Sequence, residues 1–435
     1  MSRLATGWVS IHPLRRTWRL HISAKNSPRA LLIRKRLRIQ FGSWRKDLLI
    51  THKRPSPHTI KAKIRIRSQK NRYTIGPLIG ILTVAGGGRF RGVQSNFIDI
   101  IETGRKKGAF VYVVPIENID WKSKTVQGYL FYSKEKKWIK ERLPLPHVLY
   151  NRIPNRMFEE QAHVKAALEQ LSTMRNLTLY NPQFFNKQQL YAALQRDPDI
   201  TPYLPQTVTF TSKAQLYHML SSYSFVYIKP VNGMAGKGIY RVQKITNGDY
   251  LVQYQEQDDT VSKRFSSKGE VWTYLAPLIK QNYVIQQGID LATFDNKLFD
   301  VRLLAQKNGR GEWEVTGAGI RLAGAGKITT HVPRGGSIQP PEDILMAAFP
   351  HIAPRHLLTS VRRMALRIAR SLEKEWQTLG EVSMDIGIDK NMNIWFIEAN
   401  AKPGKFDEPH IRKLSLQRIV EYAQHKAKFI EVGES

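Results

Sequence analysis

Two acids and an amide near the end of this sequence are spaced as a hard cation requires. The stretch Glu381–Gly404 (EVSMDIGIDKNMNIWFIEANAKPG) reads as a β-hairpin. Two β-prone runs, Val382–Ile388 and Ile394–Glu398, flank the polar turn Asp389-Lys390-Asn391-Met392-Asn393. A turn centred on Asn391-Met392 pairs Lys390 with Asn393 and sets Asp385 directly across from Glu398. Asn400 shares the Glu398 face because strand side chains alternate. Carboxylates facing each other on neighbouring strands repel. A cation between them removes the conflict, and an oxygen-only donor set suits Mg²⁺, which leaves its other positions to water and phosphate. A solvated hairpin with both acids in water satisfies the same spacing.

A second constellation suits anions. Ser224–Lys229 reads as a strand stopped by Pro230, which cannot donate to a ladder. Asn232–Ile239 (NGMAGKGI) follows. Gly233, Gly236 and Gly238 make a flexible loop whose N–H groups can wrap phosphate oxygens, and Lys229 and Lys237 add positive charge. The run is not a Walker A motif, because Gly238 stands where Ser or Thr should follow the lysine. A hairpin turn is the plainer alternative. Gly86-Gly87-Gly88 lacks GxGxxG spacing and reads as a plain loop.

The elements that must position these residues alternate from Leu177 onward: a short helix Lys187–Leu194, strands at Thr207–Phe210, Tyr283–Ile289 and Asp300–Leu304, and another strand carrying Arg321. His331–Gly336 forms a basic loop. The helix Arg355–Trp376 carries an apolar stripe of Leu357, Val361, Met364, Ala365, Ile368 and Leu372, which reads as core packing behind the hairpin. Upstream, the continuous apolar run Gly76–Val84 suits a buried strand. A helix around Asn96–Arg105 and a strand Phe110–Val114 complete a βαβ-like unit. His147–Arg152 reads as a further strand, and a helix Glu159–Leu171 leads into the next domain.

The chain has 435 residues, 42% of them hydrophobic, enough for two or three domains with sizeable cores. Its 68 Lys+Arg against 35 Asp+Glu give a net charge of +33. Residues 1–98 hold 22 of those cations and one acid, Asp47, so an anionic partner is expected there: nucleic acid, membrane surface or an acidic polymer. Trp18–Ile22, Arg36–Phe41 and Lys61–Arg67 alternate apolar with basic, predicting strands that bury one face and show cations on the other. A solubilising sheet surface fits the same pattern, and no recognisable RNA- or DNA-binding motif occurs in this segment. The absence of cysteine excludes disulfides, thiolate catalysis and Cys-ligated zinc. No apolar run is long enough to span a membrane and Trp8–Leu14 is too short for a signal peptide, so cytoplasmic residence is the expectation.

Taken together, a lysine before a small helix, IKP with a glycine loop, the VIQ strand, DVR, RGG, a helix and D…ExN resemble the ATP-grasp superfamily over about residues 180–410. The GPLIGIL strand and the NRIPNR segment at Asn151–Arg156 make the chain similar to the YheC/YheD family of endospore coat-associated ATP-grasp proteins. The resemblance implies an α+β fold of two lobes gripping ATP, preceded by a pre-ATP-grasp-like α/β domain. It divides the chain into 1–72 (basic, β-rich), 73–155 and 156–430 (ATP-grasp). Lys187 and Lys229 resemble the paired nucleotide lysines, and the 232–238 loop resembles the mobile cover over the phosphates. Gln286, Gln287 and Ile289 fall on the adenine-binding hinge, where Gln287 replaces the family's usual Glu and Asp290 becomes the candidate for ribose. Arg302 and Arg321 resemble the cations facing the transferred phosphoryl group, and Asp385, Glu398 and Asn400 match the Mg²⁺ ligands.

The implied function is an ATP- and Mg²⁺-dependent ligase joining an unidentified carboxylate to an amine through an acyl phosphate, in association with the spore coat. The competing reading is a coat scaffold that binds ATP without turnover, and coat components are then the implied partners of residues 1–98.

Overall fold

The computed structural model describes residues 3–22, 35–69, 72–231, 238–256, 259–279, 283–324 and 337–429. The loop residues Gly233, Gly236 and Lys237 and the basic loop at 331–336 lie outside this set.

The alternating basic and apolar runs of the N-terminal region close on themselves. Six strands, Arg3–Ile11, Trp18–Ile22, Arg36–Phe41, Trp44–Thr51, Ile60–Gln69 and Arg72–Gly76, form a barrel, so none is left with an open edge. Val9, Leu20, Ile39, Leu48, Ile64 and Ile75 fill its interior. Arg36, Arg38 and Lys63 alternate with them on the outside, as the two-residue period requires. The boundary expected at residue 72 falls at the start of the last barrel strand.

Beside the barrel lies a mixed sheet. Leu78–Thr83 runs parallel to Phe110–Pro115 and to Val148–Asn151, with the helix Gln94–Lys107 between the first two, giving the expected βαβ unit. Leu78–Thr83 is buried on both faces, which is why its sequence shows no alternation. Trp18 and Phe41 of the barrel pack on Phe110 of this sheet with ring centroids 5.5 and 5.9 Å apart, so one core runs through both. The triple glycine is the turn of a small hairpin. Gly87 and Gly88 have φ of 60° and 77°, the left-handed pair that a two-residue turn demands.

Two α+β lobes follow. The smaller is an antiparallel six-stranded sheet in the order Thr207–Thr209, Tyr283–Gln287, Phe225–Pro230, Tyr240–Lys244, Tyr250–Glu256 and Asp259–Phe265. Helices Lys213–Ser222 and Lys268–Leu275 cover it, burying Leu216, Val271 and Leu275 against Val226, Val242 and Ile285. The larger lobe has its main strands in the order Ser337–Gln339, Trp313–Leu322, Lys297–Lys307, Glu381–Ile388 and Ile394–Asn400. The helix Pro354–Glu375 packs its stripe of Leu357, Val361, Met364, Ala365, Ile368 and Leu372 on that sheet, as the sequence predicts. Val382, Met384 and Ile386 meet this helix, so Ser383 and Asp385 face the other way. The last helix, Pro409–Lys426, returns to the mixed sheet, where Tyr422 packs on Tyr180 at 5.1 Å.

Candidate functional site

The hairpin forms where the sequence puts it, but its register is reached by another route. The strands are Glu381–Ile388 and Ile394–Asn400, with Ile388 opposite Ile394. Asp389, rather than Lys390, closes the turn on Asn393: its N–H bonds the Asn393 carbonyl at 3.0 Å. The Asp389 carboxylate accepts from the N–H groups of Asn391 and Asn393 and from Trp395 Nε1, at 2.8–2.9 Å. This turn alone would set Glu398 opposite Met384, on the core face. A β-bulge that leaves Ile397 without a partner shifts the pairing by one and restores Asp385 opposite Glu398. Asn400 stands across from Ser383, whose buried Oγ has no hydrogen-bond partner among the described residues.

Asp385 belongs to a lattice of charges spread over neighbouring strands. Arg302, its register partner, donates Nη1 to Asp385 Oδ1 at 2.7 Å, and Arg321 Nη2 lies 2.8 Å from Oδ2. Arg321 also grips Asp300 in a two-pronged pair, Nε to Oδ1 at 2.8 Å and Nη2 to Oδ2 at 2.6 Å. Burial pushes the Asp385 carboxyl up, but Arg302 and Arg321 outweigh it and hold the group below the usual carboxylate range. Burial lowers the Arg321 pKa, yet Asp385 and Asp300 overcome that too and raise it, so Arg321 stays charged.

The facing wall belongs to the small lobe and the helix Lys187–Gln195. Asn186 caps this helix by accepting from the N–H groups of Gln188 and Gln189, fixing Lys187 in its first turn. Lys187 Nζ lies 3.8 Å from Glu398 Oε1, joining the two walls. Lys229 sits over the Tyr227 ring at 5.0 Å and donates to Gln286 Oε1 at 2.7 Å. Burial is the main cause lowering the Lys229 pKa to about 8; Lys187 lowers it further, and Glu398 opposes both. The Gln286 amide donates to Tyr191 Oη at 2.6 Å and Thr207 Oγ1 at 3.0 Å, so its side chain orients Lys229. Tyr191 Oη donates in turn to the carbonyl of the bulged Ile397 at 3.1 Å, tying helix, small lobe and hairpin together.

Between the walls lies a cleft of about 500 Å³, within the range of small-molecule sites. Lys187, Lys229, Gln286, Gln287, Ile289, Arg321, Asp385 and Glu398 all line it. Arg302 and Asn400 are not among its lining residues: Arg302 is bonded to the lining Asp385, and Asn400 follows two residues after the lining Glu398. Gly238, with φ of 71°, precedes the cleft residue Ile239. The Gln287 side chain accepts from the Gln206 N–H at 3.0 Å, whereas Asp290 pairs with Lys390 at 2.9 Å at an exposed position. Apolar liners, Val284, Leu298 and Ile239 among them, are interleaved with the ionic ones: Val284 is the register partner of Lys229, and Leu298 precedes Asp300 by two residues on one strand. Tyr191, Thr207 and Asp300 are site residues that motif reading passes over. Only Asp300 had a signal, since it shares the cleft face of its strand with Arg302.

Residues 176–425 match the YheC/D like ATP-grasp family. The chain is 31% identical over 386 residues to the endospore coat-associated protein YheD of Bacillus subtilis (strain 168), covering 85% of this chain and 82% of that protein. Its identity to the endospore coat-associated protein YheC of the same organism is 23% over 280 residues, or 64% of this chain and 77% of the relative. Among solved structures, the ATP-grasp ligase PsnB complexed with minimal precursor superposes with a TM-score of 0.47 at 11% identity, over 81% of this chain and 99% of that one. With its family match running from the mixed sheet to the last helix, and a relative of this identity spanning most of its length, the chain belongs to the YheC/D-like ATP-grasp family.

Proposed function

We propose that this protein uses Mg-ATP to join a carboxylate to an amine. The observation that carries the reading is the gathering of Lys187 and Lys229 in one cleft with Arg321, Asp385 and Glu398, among apolar liners such as Val284, Leu298 and Ile239. Lys229 and Lys187 would hold the nucleotide phosphates. The backbone at Gln287–Ile289 would read the base edge, flanked by Val284, Ile239 and Leu298. Arg302 and Arg321, held in orientation by Asp385 and Asp300, would face the phosphoryl group in transfer.

The donor set fits Mg²⁺. Asp385, Glu398 and Asn400 offer only oxygen or amide ligands, Glu398 opens to the cleft, and an ionised carboxylate retains acceptor positions beyond the two that the arginines occupy on Asp385. When bound there, Mg²⁺ supplies charge neutralisation to phosphate oxygens.

In the reaction a substrate carboxylate oxygen attacks the γ-phosphorus and the bond to the β-phosphate oxygen breaks, releasing ADP. An amine then attacks the acyl carbon, phosphate leaves with the bonding pair, and the nitrogen loses a proton. Neither step needs a protein nucleophile, because positioning and electrostatic stabilisation suffice. The names of the relatives support a setting at the endospore coat.

The test is ADP release from purified protein with Mg-ATP and an amino-acid and peptide panel, with hydroxylamine added to trap an acyl phosphate as hydroxamate. Release stimulated by carboxylate plus amine, with a hydroxamate, supports the ligase. Neither signal, with ATP binding intact, leaves the ATP-binding scaffold as the better account.

A further inference from the structure

Among the described residues a row of cations without ion pairs lies outside the cleft. Around the barrel, Lys61, Ser10, Arg19, Leu49 and Arg36 stand side by side on five successive strands. Adjacent strands are about 4.8 Å apart, so the cations of this row recur about every 10 Å. In the next row Lys63 stands beside Trp8. Trp8 and Leu49, each 37% exposed, stand among these cations. Among the described residues no ion pair engages Lys61, Lys63, Arg19 or Arg36; Arg16, in the turn that joins the strands of Ser10 and Arg19, reaches Glu141 at 3.7 Å. Beneath the row, His21 is held by Ser10 at 2.7 Å and by the Lys53 carbonyl at 2.7 Å. Burial and then the charges of Arg19 and Lys61 lower its pKa, a sign of the positive potential at this face.

The opposite end of the Ile60–Gln69 strand is used differently. Arg65 and Arg67 donate to the carbonyls of Phe429 and Lys428, and Arg67 lies 4.9 Å over the Phe429 ring, docking the barrel on the body. Lys61 and Lys63 have no such task. A surface serving solubility alone intersperses both signs. This one carries a single acid, Asp47 beside Arg38, and otherwise sets cations around an exposed indole and an exposed leucine.

We propose that this barrel face binds single-stranded nucleic acid, independently of the nucleotide cleft. Cations tracking a phosphate backbone, with apolar faces on which bases stack, are the combination such binding uses. A bare polyanion has no use for Trp8, and a closed duplex keeps its bases stacked on one another.

The experiment uses the full chain and a fluorescein-labelled, unstructured oligonucleotide of about 20 nucleotides, longer than the strand such a barrel-sized face contacts. Fluorescence polarisation is read against salt, with inorganic polyphosphate, a duplex and anionic vesicles as competitors. Affinity should fall with salt at about 0.7 log units per log unit for each phosphate contacted. Arg19→Gln, Arg36→Gln and Lys61→Gln together should weaken binding by tenfold or more and flatten that slope by about 2. Trp8→Thr, which keeps a β-branched residue in the strand, should weaken oligonucleotide binding about tenfold and polyphosphate binding less than twofold. Unchanged ATP binding and melting temperature in each variant verify the fold. Three results would overturn the proposal: wild-type affinity in the glutamine variants, equal effects of Trp8→Thr on oligonucleotide and polyphosphate, or a duplex or vesicle that outcompetes the single strand.

Discussion

ATP affinity should carry a proton signature that belongs to Lys229. Its ammonium lies between the Tyr227 ring and Gln286, and burial, with Lys187 adding to it, lowers its pKa to about 8. About nine-tenths of the free protein therefore carries the charge at pH 7 and about one-tenth at pH 9. A phosphate arriving beside it favours the charged form. ATP binding should be level below about pH 7 and weaken towards tenfold per pH unit above 8. Near pH 8.5 it should take up a proton, visible by calorimetry in buffers of different ionisation enthalpy. Lys229→Arg keeps the charge at every accessible pH, so its affinity, whatever the level, should lose the slope. Lys402 is also lowered to about 8, mainly by burial, but it sits against Glu159 away from the cleft and is common to both proteins. The same shift penalises the folded state while Lys229 is charged. The interval from 10.5 to about 8 corresponds to about 3 kcal/mol, fully present below pH 8 and fading as pH rises to 10.5. Wild-type affinity that stays level from pH 7 to 9.5, or an arginine variant with the same slope, would refute this reasoning.

Glu398→Gln should raise the Mg²⁺ concentration needed for ATP binding while leaving the melting temperature within a degree or two, because its partner Lys187 is 3.8 Å away and such pairs contribute less than about 1 kcal/mol. Superimposable Mg²⁺ titrations would favour a merely solvated acid. Arg302→Ala should lower kcat by about 10² or more with a smaller change in KM for ATP, as expected for one lost charge-stabilising donor; a change in KM alone would place its role in ground-state binding. Asp300→Asn breaks the doubly bonded, buried pair with Arg321 and should destabilise the protein by about 3 kcal/mol, read from denaturant midpoints. An unchanged midpoint would show that Asp385 alone suffices to hold Arg321.

The legible parts of this chain were those with local patterns. The period-two runs at Arg36–Phe41 and Lys61–Arg67 and the 3.6-residue stripe from Leu357 to Leu372 each follow from side-chain direction within one element. Closure of the barrel was not legible, since Arg3–Ile11 pairs with a strand some fifty residues later and no local signal encodes that. The Ile397 bulge escaped for a different reason. Five turn residues admit two pairing registers one residue apart, and the choice is made by Asp389 closing on Asn393, with the bulge absorbing the offset. Gln286 falls on the hinge through the family resemblance alone; only the neighbouring Tyr191 and Thr207 reveal that its side chain is committed to Lys229.

The lattice of Arg302, Arg321, Asp300 and Asp385 bears on whether the cleft turns substrate over. Burying ion pairs carries a desolvation penalty that well-packed apolar residues avoid, so the lattice is a poor device for stability alone. Its geometry instead restrains two guanidinium groups on adjacent strands without leaving either charge uncompensated. Arg302 reaches Asp385 through Nη1, and Arg321 reaches its two acids through Nε and Nη2, while a guanidinium has five N–H donors in a rigid fork. Orientation is thus set before any phosphate arrives, which is the condition for stabilising moving charge without reorganisation. Tight nucleotide binding by a scaffold would be served by Lys187 and Lys229; two pre-aligned arginines beyond them would suit transfer.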